Sequence, residues 1–340
     1  MDRRSFLITA SVTTAVTVLY SCTKQKQNPQ ATSSLSSTQK KQVNIVFDKF
    51  GPLAVIRKKK TLEQALASKG YSVQWKEFAA GPQQLEALNA GSLDLSRTAE
   101  SPVIFAQAPG ADLVYLATTI PISNGVAFLV PNDSPIKSFA DFKGKRIAFQ
   151  KASLVNDILI KVLKQAGLKL SDITPVYLPP PDANVAFSQV KVDVWVIWEP
   201  FIGRVEQQKI GRVLRYGEEL IDVGLFYSAS RKFAEENPEF IKIYLEEVQK
   251  AKEWATENPR QFAELLSEET GIEVDTLEKI ASRQKYSLRP ITNEVIATQQ
   301  KVADMYYDLG LLPKKIDPSK VLLSPEYYAK VTPKTVIAKP

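Results

Sequence analysis

The sequence predicts an α/β protein of two lobes, each with a mixed, mostly parallel sheet flanked by helices. Short apolar runs typical of strands alternate with amphipathic helical segments from residue 43 to about residue 197, a pattern that implies βαβ units. After residue 231 the pattern predicts helices only. A chain of 340 residues is long enough for about two such units. Two α/β units and a helical tail therefore fit two lobes, with the tail packed on one of them.

The first α/β unit is predicted from Val43 to Thr118. Its strands are expected at 43–47, 71–78, 93–95 and 113–118. The helices between them are expected from about Leu53 to Ser68 and after Gly81-Pro82 and Ser101-Pro102, where proline is in the first turn.

The second unit is predicted from Gly125 to Ile197, with strands at 125–130, 146–150, 174–178 and 192–197. A helix over 153–166 has its apolar residues on one face. Tail helices are expected at roughly 238–256, 259–269, 274–284 and 292–309. We assign residues 43–120 and 226–330 to lobe 1 and residues 121–225 to lobe 2, with hinge segments near 121–125 and 222–226.

Residues 1–21 have the features of a secretory signal peptide. Arg3 and Arg4 precede a weakly apolar stretch that is shorter than the roughly 20 residues needed to span a bilayer. The Arg-Arg-x-Phe-Leu pattern resembles a twin-arginine signal. The Leu-Tyr-Ser-Cys sequence ending at Cys22 resembles a lipobox, which would make Cys22 a lipidated N-terminus; the alternative is a plain cleaved signal. Residues 22–42, rich in Ser, Thr, Gln and Lys, predict a flexible tether.

The composition excludes several kinds of catalytic and metal site. The chain has no histidine and one cysteine, which rules out an internal disulfide, His-ligated zinc and Ser-His-Asp or Cys-His catalysis. Nucleotide-binding and hydrolase motifs are absent, and the acidic residues form no clustered pair. We expect no enzyme activity, no metal and no cofactor.

The chain carries a net charge of +7, with a basic run at Arg57-Lys58-Lys59-Lys60. This run is short and lacks interleaved aromatic residues, so it predicts a solvated helix face and no nucleic-acid partner. The excess of positive charge is consistent with an anionic ligand.

The candidate ligand site lies beyond the carboxyl ends of the predicted strands, where open α/β sheets bind ligands. The loops at 96–101 and 150–153 lead into helices, whose N-termini attract anions. The predicted ligand-binding residues are Asp48, Gly81, Arg97, Thr98, Glu100, Ser153, Asn156, Trp198 and Glu199.

Three of these residues have structural alternatives. Ser153 could only cap its own helix. Arg97 could bind an anion with a bidentate fork, or it could pair with Glu100 or Asp48. Trp198 could be core packing rather than a platform for the ligand.

Three stretches resemble a known family: 77–94, containing Phe-Ala-Ala-Gly-Pro-Gln-Gln-Leu; 175–183; and 192–201. They are similar to the aliphatic sulfonate-binding proteins of bacterial importers, relatives of taurine-, nitrate- and thiamine-precursor-binding proteins. The resemblance implies a type II periplasmic-binding-protein-like fold. Together with the predicted lipobox, it indicates a monomer in the periplasm or on the outer face of the cytoplasmic membrane, attached only through its lipid. Such a protein hands a small solute to an ABC importer permease and serves sulfur metabolism.

The departures from the family lie in the pocket loops. Asp48 stands where the family has an uncharged polar residue. The family has Gly-Thr-Thr-Gly-Glu at 96–100, Lys-Gly-Ser-Ser-Ala-His at 151–156 and Trp-Asp-Pro at 198–200, where this chain differs. We therefore expect an aliphatic sulfonate or similar small organic anion. The alternatives are nitrate, a taurine-like zwitterion, a thiamine-precursor pyrimidine or a sensor subunit. Pyrimidine synthases of the same fold depend on a histidine and a cysteine-rich stretch, which this chain lacks.

Replacing Cys22 tests the predicted anchor. Because the lipid would be attached to the Cys22 sulfur, Cys22→Ser should leave an exported soluble protein or an unprocessed precursor. Fractionation of membranes after a high-salt wash measures this. A variant that stays with the membranes to the same extent as the parent would contradict the lipobox.

Overall fold

The computed structural model describes residues 40–121, 125–217, 220–221, 224–282, 284 and 287–337. The predicted signal peptide, Cys22 and most of the tether lie outside these residues, as do 122–124 and 222–223 of the predicted hinge segments. The described chain forms two mixed sheets flanked by helices, which confirms the predicted two-lobed α/β class.

The first sheet takes strands from both ends of the described chain. Its strands are β1 Lys41–Phe47, β2 Tyr71–Glu77, β3 Leu95–Thr98, β4 Leu113–Thr119, β10 Phe226–Ser230 and β11 Leu288–Arg289. Their spatial order is β11-β4-β10-β3-β1-β2. The first strand starts within the predicted tether, because Lys41 pairs with Tyr71 in the parallel ladder between β1 and β2.

The second sheet is continuous in sequence. Its strands are β5 Val126–Val130, β6 Arg146–Phe149, β7 Thr174–Tyr177, β8 Val194–Trp198 and β9 Arg212–Tyr216, in the spatial order β7-β6-β8-β5-β9. Antiparallel pairs slightly outnumber parallel ones over both sheets. The sheets are therefore more evenly mixed than predicted, because β5 and β10, the first strand after each crossing between the sheets, run against both of their neighbours.

Helices follow most strands and continue to the C-terminal end. They are α1 Pro52–Lys59, α2 Thr61–Ala65, α3 Gly81–Asn89, α4 Glu100–Gln107, α5 Leu154–Gln165, α6 Pro180–Ser188, α7 Phe201–Gln208, α8 Arg231–Glu236, α9 Pro238–Glu257, α10 Pro259–Thr270, α11 Val274–Ser282, α12 Asn293–Asp308, α13 Pro325–Val331 and α14 Lys334–Ile337. The single helix expected over 53–68 is divided at Lys60, whose φ of 55° is left-handed and ends α1. None of the described helices has both the length and the hydrophobicity that crossing a membrane requires.

Each sheet has its own hydrophobic core, and a smaller cluster joins the two lobes. In the second lobe, α5 packs on one face of the sheet through Val155, Ile158 and Val162, all fully buried. The smaller cluster places Ile104 of α4 with Ile160 of α5 and Tyr306 of α12. Helices that follow different sheets are thus packed together beside the strand ends where a ligand is expected.

Candidate functional site

A cavity of about 460 Å³ lies between the strand-end loops of the two sheets. Its volume is in the range of sites that enclose a small organic molecule. Seven of the nine predicted ligand residues line it: Asp48, Gly81, Arg97, Thr98, Ser153, Trp198 and Glu199. The residues were selected because ligands bind beyond the carboxyl ends of strands, and residues selected from each of the two lobes line this one cavity. The other two, Glu100 and Asn156, do not line it.

Asn156 supports the loop before α5. Its Oδ1 accepts a hydrogen bond from the backbone N–H of Ala152 at 3.1 Å, and the side chain is buried. Ala152 has a φ of 58°, a left-handed conformation that costs a residue with a Cβ about 1–2 kcal/mol. Asn156 thus stabilises the strained turn before α5 and does not line the cavity.

Glu100 lies in the contact between α4 and α5 and is 3% exposed. Ser101 Oγ donates to its Oε1 at 3.3 Å. Burial, with added repulsion from the Asp157 carboxylate of α5, raises the pKa of Glu100 to about 8. Asp157 in turn pairs with Lys161 at 2.9 Å. Helical periodicity predicted where α4 begins, but not that its first side chain lies against the other lobe.

Arg97 pairs with Asp48, one of the two structural alternatives for this residue. Its Nη1 donates to Asp48 Oδ2, and the two side chains are 10% and 26% exposed. A second pair, Lys49 with Glu77, lies at the cavity with Nζ and Oε1 2.9 Å apart and both side chains about half exposed. The opposite charges at this end of the cavity are therefore balanced.

Gly81 and Thr98 bring α3 close to α4. A Cβ on Gly81 would lie 2.8 Å from Pro102 Cγ and 3.3 Å from Thr98 Cβ, so a larger residue would force the two helices apart. Thr98 is buried, and its Oγ1 donates to the carbonyl of Ala99 at 3.2 Å. Both residues line the cavity and fix the position of the α3 N-terminus there.

Trp198 and Glu199 form part of the opposite wall. Trp198 is partly exposed in the cavity and also packs against the cores on both faces of the second sheet. Glu199 is 7% exposed, and its Oε2 accepts the backbone N–H of Gly203 in α7 at 3.1 Å. Because a carboxylate already occupies the positive end of α7, this helix end is a poor place for a second anion.

The N-terminus of α5 is the best anion position in the cavity. Ser153 does not cap the helix, because its Oγ donates to the carbonyl of Gln150 at 2.7 Å. The N–H groups of Leu154 and Val155 belong to the first turn, where a helix offers no acceptor of its own. Ser153 and Leu154 both line the cavity. Backbone donors and the helix dipole there can hold a small anion.

Sequence reasoning missed an aromatic wall and a contact across the cleft. Phe50, Phe78 and Phe201 line the cavity together with Trp198. Arg204 of α7 also lines it, and its Nη2 donates to the carbonyl of Thr270 in α10 at 2.5 Å. No loop motif points to Arg204, although three of the aromatic residues lie in the loops or stretches already singled out.

In the described part of the chain, no group of three or more Cys, Asp or Glu residues is arranged to hold a metal ion. The polar groups of the cavity are backbone donors, paired charges and amides. This arrangement can bind and orient a small ligand.

The raised pKa of Glu100 predicts how stability depends on pH. The folded state holds the proton of the Glu100 carboxyl more tightly than the unfolded state does. The resulting contribution to stability is complete below the ordinary glutamate pKa and is lost as pH rises through about 8. Between pH 6 and pH 9 the melting temperature of Glu100→Gln should therefore fall less than that of the parent, and the two falls should differ by about 3 °C or more. Thermal unfolding followed by circular dichroism measures it.

The control is Glu86→Gln, which changes an exposed glutamate of α3. Its pH profile should follow that of the parent. Equal profiles for the parent and Glu100→Gln would show that the buried carboxyl is not protonated in the folded protein.

The chain matches the NMT1/THI5-like family over residues 66–262. It is 43% identical over 246 residues to a protein of Escherichia coli (strain K12) named an aliphatic sulfonates-binding protein, covering 72% of this chain and 77% of that one.

Two solved structures are similar over most of the chain. The alkanesulfonate-binding protein SsuA from Xanthomonas axonopodis pv. citri bound to MOPS superposes with a TM-score of 0.80 at 35% identity, covering 83% of this chain and 98% of that one. The periplasmic aliphatic sulphonate binding protein SsuA from Escherichia coli gives a TM-score of 0.75 at 38% identity, covering 84% and 92%. The chain belongs to the NMT1/THI5-like family and, within it, to the aliphatic sulfonate-binding proteins.

Proposed function

We propose that the protein is the extracytoplasmic solute-binding component of an ABC importer, and that its solute is an aliphatic sulfonate or similar small organic anion. The observation that carries this proposal is the N-terminus of α5 in the cavity between the two lobes. Family membership and the names of the similar proteins support the same ligand class.

The cavity suggests how such a ligand would lie. The sulfonate oxygens would accept hydrogen bonds from the first-turn N–H groups of α5, at Leu154 and Val155. The carbon tail would lie along the aromatic wall of Phe50, Phe78, Trp198 and Phe201. Apolar tail contact adds affinity in proportion to buried area, at about 25 cal/mol per Å².

Contacts across the cleft support capture by closure of the lobes. Arg204 of α7 reaches the Thr270 carbonyl, and Gln207 Oε1 accepts the backbone N–H of Glu273 at 3.1 Å. These bonds join the second lobe to helices that pack with the first sheet. A solute would thus be enclosed before it is handed to a permease.

A taurine-like zwitterion is the second candidate. The Arg97–Asp48 and Lys49–Glu77 pairs leave this end of the cavity electrically balanced, which suits a ligand carrying both charges. Nitrate, a thiamine-precursor pyrimidine and a sensor role remain the further alternatives on this fold.

The remaining features of the proposal follow from the sequence. A chain without histidine and without a clustered acidic pair offers few groups for catalysis, so we infer no enzyme activity. The predicted signal peptide and Cys22 support a lipid anchor at the outer face of the cytoplasmic membrane, and we propose that the protein acts there as a monomer. The ABC importer permease is then its protein partner.

A ligand screen tests the function directly. A solute at 100 times its Kd should stabilise the domain by about 2.7 kcal/mol, which raises the melting temperature by several degrees. Thermal shifts should be measured in Tris with butanesulfonate, MOPS, taurine, nitrate and a thiamine-precursor pyrimidine. The largest shift is expected with one of the three sulfonates, butanesulfonate, MOPS or taurine. A shift with pyrimidine or nitrate alone would overturn the sulfonate assignment.

Removing one backbone donor tests the headgroup position. Leu154 is the first residue of α5, a position that accepts proline, and Ser153 has the extended conformation that a residue before proline requires. Leu154→Pro should weaken butanesulfonate binding about ten-fold or more, because one charge-assisted hydrogen bond is lost. Titration calorimetry measures the affinity.

Two control variants separate this effect from others. Leu154→Ala shortens the same side chain but keeps the N–H, so it should bind more tightly than Leu154→Pro. Asn293→Pro places proline at the first position of α12, far from the cavity, and should leave binding unchanged. Equal affinities for the alanine and proline variants at Leu154 would place the headgroup elsewhere.

A further inference from the structure

The Arg97–Asp48 pair closes one end of the cavity with two charges from neighbouring strand ends. Asp48 follows β1 and Arg97 belongs to β3. Both residues line the cavity, and Arg97 Nη1 donates to Asp48 Oδ2. A guanidinium that could reach an anion in the cavity therefore already holds a carboxylate.

Arg97 is fixed from several sides. Its backbone N–H donates to Gln84 Oε1 at 3.1 Å. A Cβ placed on Gly51 would lie 3.7 Å from both terminal nitrogens of the guanidinium, so the group rests on the Gly51 backbone. Tyr227 of β10 is its partner in the strand register. Because the guanidinium is held in place, an anion can contact Arg97 only by binding where the guanidinium lies, since the side chain does not move towards the anion.

Two further charged residues act on the Arg97–Asp48 pair, Lys252 of α9 on Arg97 and Glu77 on Asp48. Lys252 is 2% exposed, and its Nζ lies 5.7 Å from the centre of the ring of Tyr227, the register partner of Arg97. Burial, with repulsion from Arg97, lowers the pKa of the Lys252 ammonium well below its usual value. Burial also raises the pKa of the Asp48 carboxyl, while the Arg97 guanidinium opposes that shift. Asp48 is thus the counter-ion to a cationic group that would otherwise face the cavity.

A sulfonate and a carboxylate require the same donors. Each presents oxygens that accept charge-assisted hydrogen bonds from a guanidinium. Leu154 of α5 and Arg97 line the same cavity. A sulfonate held at the N-terminus of α5 that also binds Arg97 must therefore share or displace Asp48, and it is repelled by that charge if Asp48 stays.

We propose that Asp48 is an internal counter-anion that competes with the sulfonate of the ligand for Arg97 and so lowers the affinity of the site for simple alkanesulfonates. This inference rests on the proposed function, because it assumes an organosulfonate in the cavity. Asp48 is thereby a specificity-determining residue: a ligand that carries its own cation can satisfy Asp48, whereas a plain alkanesulfonate cannot.

The test is titration calorimetry of the domain with sodium butanesulfonate in Tris. Asp48→Asn keeps the size of the side chain and removes the charge, so it should bind butanesulfonate about ten-fold more tightly than the parent. Asp48→Ser is the second variant, in case the asparagine variant does not fold. Asp112→Asn is the matched control: it removes the same charge from an exposed pair with Arg231 outside the cavity, and its affinity should equal that of the parent.

A double variant separates competition from simple repulsion. The gain from Asp48→Asn should fall to about two-fold or less when Arg97 is replaced by alanine, because the released guanidinium is then absent. An equal gain with and without Arg97 would overturn the competition for Arg97. A loss of affinity in Asp48→Asn would overturn it as well, since the pair would then be needed for binding. Failure of the parent to bind any sulfonate, with binding of another solute, would refute the proposed function and this inference together.

Discussion

The position of β10 is the constraint on which the cavity depends. After crossing back from the second sheet, the chain enters the first sheet between β3 and β4 and pairs antiparallel with both. Thr118 Oγ1 donates to the Leu225 carbonyl at 3.1 Å, and Thr119 Oγ1 accepts the N–H of Leu225 at 2.9 Å. The returning segment is thus fixed to the end of β4. The pairing of β10 with β3 fixes where the returning segment joins the first sheet, and it places Tyr227 opposite Arg97.

Within that frame the charges in the cavity are largely balanced. Asp48 pairs with Arg97, Lys49 with Glu77, and Glu199 occupies the N-terminal end of α7. The excess of basic residues in the sequence therefore says little about the cavity itself. The groups that remain to attract an anion are mainly the backbone N–H groups at the N-termini of α5 and α3. Backbone donors are fixed by the helix, so they need no ordering when a ligand arrives.

The sequence predicts the fold class and most of the cavity, because loops at strand ends are recognisable without tertiary information. It does not predict β10, although β10 organises the first sheet. Phe226–Ser230 is short, fully buried over four of its five residues and without alternation, so periodicity cannot identify it. Glu100 and Asn156 lie outside the cavity lining for another reason: a pattern shows where a helix begins but not which neighbour its first side chains contact. Arg204 reaches the cavity through packing alone.

Four of the residues that depart from the family pattern implied by the resemblance contact each other in two pairs. Asp48 and Arg97 both differ from the family and form an ion pair. Ala152 replaces a glycine, and Asn156, which replaces a histidine, accepts the N–H of Ala152. In each pair one residue is costly without a partner: the buried guanidinium of Arg97 or the left-handed backbone of Ala152. The other residue provides the ion pair or hydrogen bond that stabilises it. The first pair lines the cavity, whereas the second supports the turn before α5. The scaffold is shared with the sulfonate-binding proteins, whose solved structures superpose on most of this chain, even where these four residues differ from the pattern that the resemblance implies.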